Sequence, residues 1–310
     1  MQNTTFDLLA SDGLAVHTYR WLPDGDVQGV VQIAHGMAEH AGRYEHVAEA
    51  LTSAGYAVYA NDHRGHGKTA VTEDDLGFFA PSRGWATVLD DLYRLNQHIR
   101  SEHAAVPVHL FGHSMGSFLA QQFLFTFPGA VDGAVLSGSN RHPAAAVEAG
   151  AAVARAEIAR IGPNGRSALL NLAAFGAYNK AFAPARTDFD WLSRDPAVVD
   201  AYIDDPLCGF VCTARMWLDV FSGLRVIRQT ERLLEIPPFL PIYVFSGDQD
   251  PVGEAGAGVQ RLVDAYEEAG LANVTLRLYP GGRHEMVNEI NRDEVLTDLT
   301  AWLDANTPAR

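Results

Sequence analysis

Ser114 stands at the centre of the pentapeptide Gly112-His-Ser-Met-Gly116, and its hydroxyl is a candidate nucleophile. In a G-x-S-x-G sequence the serine lies on a tight turn between a strand and a helix, where a Cβ two residues before or after it would collide with neighbouring backbone. Glycine at both positions removes that collision. An apolar run at 108–111 precedes the turn and a helix is predicted over 117–127, so the context favours a nucleophilic serine over a chance pentapeptide.

A serine hydroxyl is a poor nucleophile at neutral pH, so it needs a histidine to accept its proton and a carboxylate to orient that histidine. Of the 12 histidines, His284 is the one in a loop after the final predicted strand, and we predict that it is the base. The preceding strand leads into a loop with two acids, Asp248 and Asp250. We favour Asp250 because it lies further out along the loop, while Asp248 could cap the turn after Gly247 and is the alternative.

The oxyanion that forms on attack needs two N–H donors, one from the residue after the nucleophile and one from the loop after an earlier strand. These donors are predicted to be Met115 and Met37, and glycine at position 36 lets the backbone bend under the substrate carbonyl. Glu39 and His40 lie in the same loop. They could contact substrate or brace the loop, and we favour bracing.

Two other histidine groups are candidates for chemistry. Residues 62–66 bring an aspartate close to His63 and His66, but the chain lacks a matching set of metal ligands and serine chemistry needs no metal. We therefore expect a structural loop there, and neither a metal nor another cofactor. His113 adjoins the serine, but neighbouring side chains diverge at such a turn, so we do not expect it to take part.

Strand-like and helix-like runs alternate along most of the chain, a pattern that predicts an α/β fold with a mostly parallel central sheet and helices on both faces. The predicted strands cover 6–9, 15–22, 30–34, 57–60, 108–111, 131–136, 241–246 and 274–279. The first two form a hairpin at an antiparallel edge, because Ser11-Asp-Gly13 is a turn signal. The active site of such a fold lies beyond the carboxyl ends of its strands.

The alternation breaks from residue 139 to residue 238, where the chain reads as several helices without a convincing strand. We therefore predict a core formed by 1–138 and 239–310 and a helical cap, or lid, formed by 139–238. Large apolar residues in the cap are usually core residues, but they could also line a substrate channel above the serine. The candidate substrate-binding residues are Phe210, Val211, Met216 and Trp217, with Val252 from the core.

Composition limits the classes of partner. With 310 residues, 47% of them hydrophobic, the chain can bury a full core, and its formal charge of -15 disfavours nucleic acid and strongly anionic membranes. The amino terminus lacks the features of a secretion signal and no apolar run approaches membrane-spanning length, so a soluble, cytoplasmic protein is expected. Cys208 and Cys212 are expected to be reduced packing residues, since a chain of this size needs no disulfide.

Five motifs occur in an order that is familiar. They are His35-Gly-Met-Ala-Glu-His40 with Gly42-Arg-Tyr44, Asp62-His-Arg-Gly-His-Gly67, Gly112-His-Ser-Met-Gly116, Gly247-Asp-Gln-Asp250 and Arg283-His-Glu285. Together they resemble the monoacylglycerol lipase and lysophospholipase group of the α/β-hydrolase superfamily, over nearly the whole chain outside the insertion. The resemblance implies an α/β-hydrolase fold with a helical cap and a serine carboxylester hydrolase. It also supports Ser114, Asp250 and His284 as a triad with Met37 and Met115 as oxyanion donors.

We therefore expect hydrolysis of single-chain fatty acyl esters, with a monoacylglycerol as the best candidate, through an acyl-enzyme. The alternatives are a lysophospholipase, a small-ester esterase, or an aminopeptidase-like enzyme that would need acids such as Glu148, Asp204 and Asp205 to bind a substrate amine. A non-catalytic binding protein is least favoured, because all the catalytic positions are filled. Transient membrane-surface contact through the cap is a further hypothesis, prompted by Met216, Trp217 and Phe221.

Overall fold

The computed structural model describes residues 1–307 and contains one eight-stranded sheet. The strands are β1 Gln2–Leu9, β2 Ala15–Leu22, β3 Gly29–Ala34, β4 Tyr56–Asn61, β5 Val108–His113, β6 Gly133–Ser137, β7 Ile242–Gly247 and β8 Val274–Tyr279. Their order across the sheet is β1-β2-β4-β3-β5-β6-β7-β8. β1 and β2 form the predicted antiparallel hairpin, β2 pairs antiparallel with β4, and the remaining pairs are parallel.

The helices lie on both faces of the sheet. Their bounds are α1 Glu45–Ser53, α2 Gly84–Glu102, α3 Met115–Thr126, α4 Ala144–Ile161, α5 Ala168–Phe175, α6 Pro196–Asp204, α7 Ala214–Ile227, α8 Thr230–Leu233, α9 Ala257–Glu268 and α10 Arg292–Ala305. Apolar residues of α1 and α10 pack on one face, and those of α2, α3 and α9 pack on the other. The mostly parallel sheet with helices on both faces is confirmed.

The central strands are buried along their whole length, because both faces of the sheet are covered. Successive side chains of β5 enter different cores: Leu110 packs with α2 and α3, whereas Phe111 packs with α1 and α10. β8 is an edge strand and alternates between half-buried and exposed positions up to its last residue, Tyr279, which is buried. Because the strands from β3 to β7 in the sheet pair in parallel, the carboxyl ends of β3, β5 and β7 lie at one edge of the sheet. The loops that carry the candidate residues emerge at this edge.

Between β6 and β7 the chain forms α4 to α8. α4 packs along α7, and α7 in turn contacts α2 and α3, so this helical segment packs on the layer of helices α2 and α3 through α7. The contact buries the apolar side of α7, including Met216 and Trp217. Within residues 1–307, no helix is both long enough and apolar enough to span a membrane.

Candidate active site

Ser114 lies on a strained turn between β5 and α3. Its φ of 51° is in the left-handed region, and its N–H donates a hydrogen bond to Ser137 O over 2.9 Å. A Cβ at Gly112 would lie 2.5 Å from Gly116 O, and one at Gly116 would overlap the Ala34 carbonyl. The close approach of these backbones is the reason that the turn needs both glycines.

His284 and Asp250 meet at the carboxyl ends of β8 and β7. His284 Nδ1 lies 3.0 Å from both carboxylate oxygens of Asp250 and donates its proton to them. Asp250 is fully buried, and it also accepts hydrogen bonds from Ser246 Oγ at 2.9 Å and from Val252 N–H at 2.8 Å. With Nδ1 engaged in this way, Nε2 is the ring nitrogen that is left to exchange a proton with a substrate or nucleophile.

The other acid of this loop has a different environment. Asp248 Oδ1 accepts a hydrogen bond from Gly281 N–H over 2.7 Å, so this carboxylate joins the loop after β7 to the loop after β8. It makes no hydrogen bond to His284 among the residues that the structure describes. The geometry thus agrees with the turn-capping role expected for Asp248.

The pair of His284 and Asp250 shifts both pKa values. Burial lowers the pKa of His284, but the charge of Asp250 and its hydrogen bond outweigh burial and raise that pKa above its ordinary value. Burial raises the pKa of Asp250, while the charge and hydrogen bond of His284, with the hydrogen bond from Ser246, lower it overall. The carboxylate is therefore ionised at neutral pH and stabilises an imidazolium at His284.

The predicted oxyanion donors flank Ser114. Met115 is the first residue of α3, and Met37 follows Gly36 in the loop after β3. In the described part of the chain, neither N–H donates a hydrogen bond, so both are free to receive a developing negative charge. Met37 and Ser114 line one cavity, and Met115, which is not among its lining residues, follows the serine directly in the chain.

The loop that carries Met37 is braced from two sides. Glu39 Oε1 accepts hydrogen bonds from Gly36 N–H at 2.5 Å and from Tyr44 OH at 2.9 Å. On the opposite side, Ala38 O accepts hydrogen bonds from Tyr202 OH at 2.8 Å and from Gly209 N–H at 2.9 Å. The expectation that Glu39 braces this loop is confirmed.

His113 makes no hydrogen bond to Asp250 within residues 1–307, but its side chain lies in the site although no part was expected for it from the sequence. Its ring packs on that of His284, with centroids 4.8 Å apart, and it lines the same cavity. The Trp191 ring approaches His284 as well, with centroids 5.0 Å apart. Gly138 makes room for both histidines, since a Cβ there would lie 2.8 Å from His284 Cε1 and 3.1 Å from His113 Cε1.

Sequence reasoning also missed Arg43, which joins two buried acids of the site. Its guanidinium lies 2.5 Å from Glu39 Oε2 and 2.8 and 2.7 Å from the two oxygens of Glu285. Both acids border the cavity, and both are already paired with Arg43. Asp188, at an exposed position on the cavity wall, is a third acid there, and solvent screens its charge.

The cavity beside Ser114 has a volume of about 380 Å³ and a largely apolar wall. Its large apolar lining residues are Met37, Leu172, Phe175, Phe189, Trp191, Leu192, Phe210 and Val211. A chamber of this size and character can hold an acyl chain. Of the predicted substrate-binding residues, Phe210 and Val211 line this cavity.

Met216, Trp217 and Val252 are not among the residues that line it. Met216 is fully buried in the core, and Trp217 packs against the lining residue Phe175, with ring centroids 5.6 Å apart. Val252 is buried beside Asp250, whose carboxylate accepts the hydrogen bond from its N–H. The apolar face of the amphipathic helix α7 therefore packs inside the protein, as such a face ordinarily does.

A strand, a tight turn with a left-handed serine, a helix, and an Asp–His pair at the next strand ends define an α/β-hydrolase. A family model described as "Serine aminopeptidase, S33" matches residues 25–291, and the chain belongs to this family. The monoacylglycerol lipase of Mycolicibacterium smegmatis is 32% identical over 283 residues, which cover 91% of this chain and 90% of the relative. Human monoglyceride lipase is 28% identical over an alignment that covers 97% of this chain and 90% of the relative.

A solved structure gives the same result for the fold. A thermostable carboxyl esterase from Bacillus coagulans, in complex with glycerol, superposes with a TM-score of 0.90 at 29% identity, covering 98% of this chain and 99% of the esterase. The chain is therefore a monoacylglycerol lipase-like α/β-hydrolase and a carboxylic ester hydrolase. The resemblance drawn from the five motifs is confirmed.

Proposed function

We propose that this enzyme hydrolyses single-chain fatty acyl esters, with 1-monoacylglycerols as its preferred substrates. The single observation that carries the proposal is the shared cavity: Ser114 and His284 lie in a chamber of about 380 Å³ whose wall is mostly large apolar side chains. An acyl chain gains free energy from leaving water for such a wall. Relatives named as monoacylglycerol and monoglyceride lipases support the same substrate class.

The proposed reaction proceeds in two stages. Ser114 Oγ attacks the ester carbonyl carbon while His284 Nε2 accepts its proton, and the N–H groups of Met37 and Met115 stabilise the oxyanion. The intermediate collapses to an acyl-serine, and His284 returns the proton to the leaving alcohol. A water molecule then attacks the acyl-serine, with His284 as base, and releases the fatty acid. Asp250 orients His284 throughout.

We propose that residues 139–238 form a cap over this site. The support is that the chain leaves the sheet after β6, forms α4 to α8, and returns at β7. Lining residues such as Phe175, Trp191 and Phe210 belong to this segment. Substrate selection is therefore assigned to the cap, and bond cleavage to the core.

We also propose a cytoplasmic enzyme that contacts membranes transiently through α5. The cap residues that first suggested such contact do not support it: Met216 and Trp217 are buried, and Phe221 is partly buried against the same core. On α5, by contrast, Leu169 is 52% exposed and Leu172 is 67% exposed, and Leu172 also lines the cavity. An exposed apolar helix face at a cavity mouth suits the surface of a neutral lipid assembly, which the net charge of -15 does not repel.

The test is a substrate panel: p-nitrophenyl esters from acetate to palmitate, 1-monoacylglycerols and lysophosphatidylcholine, with Ser114→Ala as the blank. The proposal predicts a maximum at medium or long chains and a preference for the glyceride. Turnover confined to acetate and butyrate would contradict it and indicate a small-ester esterase. Faster hydrolysis of lysophosphatidylcholine would indicate a lysophospholipase.

An aminopeptidase is the second candidate, because the matching family is described by that activity and because Asp188 offers a carboxylate at the cavity wall. The two deeper acids, Glu39 and Glu285, are already paired with Arg43, so they are not free to bind a substrate ammonium group. Comparing an aminoacyl p-nitroanilide with a fatty p-nitrophenyl ester separates the candidates. A preference for the amide that is lost in Asp188→Asn would favour the aminopeptidase.

A further inference from the structure

His40, Asp205 and Cys208 form a compact group of side chains that can bind metal, next to the cavity but not part of its lining. One ligand atom from each lies within 4.8 Å of the other two. His40 Nε2 and Asp205 Oδ2 are only 2.8 Å apart. We propose that these three side chains bind a divalent cation that has affinity for sulfur, and that Zn²⁺ is the ion that fits them.

The three residues of the group come from two loops, which are joined by a backbone hydrogen bond from Gly209 N–H to Ala38 O. His40 belongs to the loop after β3, and the other two residues belong to the connection between α6 and α7. In that connection Asp205 Oδ1 accepts a hydrogen bond from Leu207 N–H over 2.8 Å, and Cys208 N–H donates to Asp205 O over 3.0 Å. This turn places the carboxylate and the thiol on one side, toward His40.

The donor atoms match the coordination chemistry of zinc. Cysteine sulfur, histidine nitrogen and carboxylate oxygen are its usual ligands, and bond lengths of about 2.0–2.3 Å put tetrahedral ligand atoms roughly 3.3–3.8 Å apart. The pair of His40 and Asp205, at 2.8 Å, is closer than that range, and the whole group lies within 4.8 Å, so binding requires side-chain rotations that separate the first pair. On binding, the thiol proton goes to solvent, so that a thiolate and a carboxylate balance the double positive charge, and water takes the fourth position.

One ring nitrogen of His40 is placed for this role. Nε2 faces Asp205, while Nδ1 is buried and has no hydrogen-bond partner among residues 1–307. The side chains of His40 and Asp205 keep 13% and 29% of their surface exposed, which leaves an ion a route from solvent.

One nearby positive charge could oppose a cation. Burial raises the pKa of the Cys208 thiol, and the charge of nearby Arg43 acts in the opposite direction. The Arg43 guanidinium, however, forms ion pairs with Glu39 and Glu285, so the three groups together carry a net negative charge. The surroundings of the site therefore favour a divalent cation.

A bound ion would tie the cap to the loop that carries Met37. The residue after Cys208, Gly209, donates its N–H to Ala38 O over 2.9 Å, and Ala38 follows Met37 directly. Cation binding would add three coordinate bonds to that hydrogen bond. The binding claim does not depend on which ester the enzyme cleaves.

The experiment uses Co²⁺ as a spectroscopic probe for Zn²⁺. The full-length protein is stripped with EDTA, dialysed under nitrogen and titrated with CoCl₂. We expect a near-ultraviolet thiolate-to-cobalt charge-transfer band that saturates at one ion per chain and is bleached by Zn²⁺. The matched variants are Cys208→Ala, which should abolish the band, and Cys212→Ala, which removes the other, fully buried thiol and should keep it.

A third variant, Asp205→Asn, keeps the hydrogen-bonding shape but loses the charge. It should retain the band and bind Co²⁺ about tenfold more weakly or worse. Zn²⁺ should also raise the Tm of the wild type and of Cys212→Ala, because a ligand that binds the folded state stabilises it, but not that of Cys208→Ala. Absence of the band in the wild type, or its persistence in Cys208→Ala, would overturn the proposal.

Discussion

The imidazole rings of His113 and His284 lie against one another, with centroids 4.8 Å apart and an interplanar angle of 48°. Burial lowers the pKa of His113 to about 4, so this ring is neutral at pH 7. The pKa of His284 is raised, because the charge and hydrogen bond of Asp250 outweigh the effect of burial. His113 therefore supports the position of His284 without competing for its proton.

Replacing His113 by alanine should lower kcat for a p-nitrophenyl ester by about tenfold or more, with a smaller effect on KM. The reason is that the cavity left beside His284 lets its ring move away from the line between Ser114 and Asp250. Ser137→Ala is the matched control, since it removes only the partner that lies 3.2 Å from His113 Nδ1. An unchanged kcat in His113→Ala would show that the ring contact has no positioning role.

The pH profile reports the charge of His284. A base must be neutral to accept the proton of Ser114, so kcat/KM should rise with pH through the pKa of His284. Because that pKa is raised, the acid limb should have its midpoint above about 6.5, the ordinary value for histidine. A stopped assay with a substrate that does not itself titrate between pH 5 and 9 measures this profile.

The same pH profile, measured for Asp250→Asn, tests whether Asp250 is the group that raises the pKa of His284. The amide removes the charge that raises the pKa of His284, so the acid limb should move to lower pH, and kcat should fall by roughly 10⁴-fold because the amide no longer fixes the reactive tautomer. Asp248→Asn is the control, since Asp248 bonds Gly281 rather than His284. Equal losses in the two variants would contradict the assignment of Asp250.

The close approach of backbones at the Ser114 turn leads to a separate prediction about stability. In Gly116→Ala the new methyl group would overlap the backbone of Ala34, so the free energy of unfolding should fall by more than about 2 kcal/mol. Gly25→Ala is the control, because nothing lies within 4 Å of a Cβ built there. Urea unfolding monitored by circular dichroism compares the variants, and equal midpoints would argue against the close approach.

Local sequence patterns were sufficient to predict the sheet and the turn at Ser114. The apolar run before Gly112 and the helix-forming run after Ser114 each specify their element within a few residues, and β5 and α3 agree with them. Asp250 and His284 were found because parallel strands end at one edge of the sheet, which brings distant loops together. The order of strands and loops along the chain was sufficient for these predictions.

Contacts between distant segments were beyond the reach of those patterns. Arg43 pairs with Glu285 across 242 positions, and neither residue carries a local signal of the other. The same holds for α7, where the large apolar residues predicted a helix but not whether Trp217 would contact substrate or Phe175. Which layer covers a helix face is decided by tertiary packing, and only the structure gives it.

The exposed leucines of α5 give a prediction about lipid surfaces. Replacing both Leu169 and Leu172 by serine should reduce binding to vesicles of neutral lipid, because the double substitution removes the exposed apolar surface beside the cavity mouth. Leu234→Ser is the matched control, since Leu234 is 67% exposed, as Leu172 is, but does not line the cavity. Flotation measures the bound fraction, and equal losses in both proteins would exclude a specific role for α5.

The most direct test of the whole account is the hydrolysis of a 1-monoacylglycerol by Ser114→Ala. We expect kcat to fall by several orders of magnitude, about 10⁴-fold or more, while the circular dichroism spectrum and Tm stay close to those of the wild type. Ser101→Ala, a change at an exposed serine, should keep full activity. Near wild-type hydrolysis by folded Ser114→Ala would contradict the account, because the bond would then be broken without the proposed nucleophile.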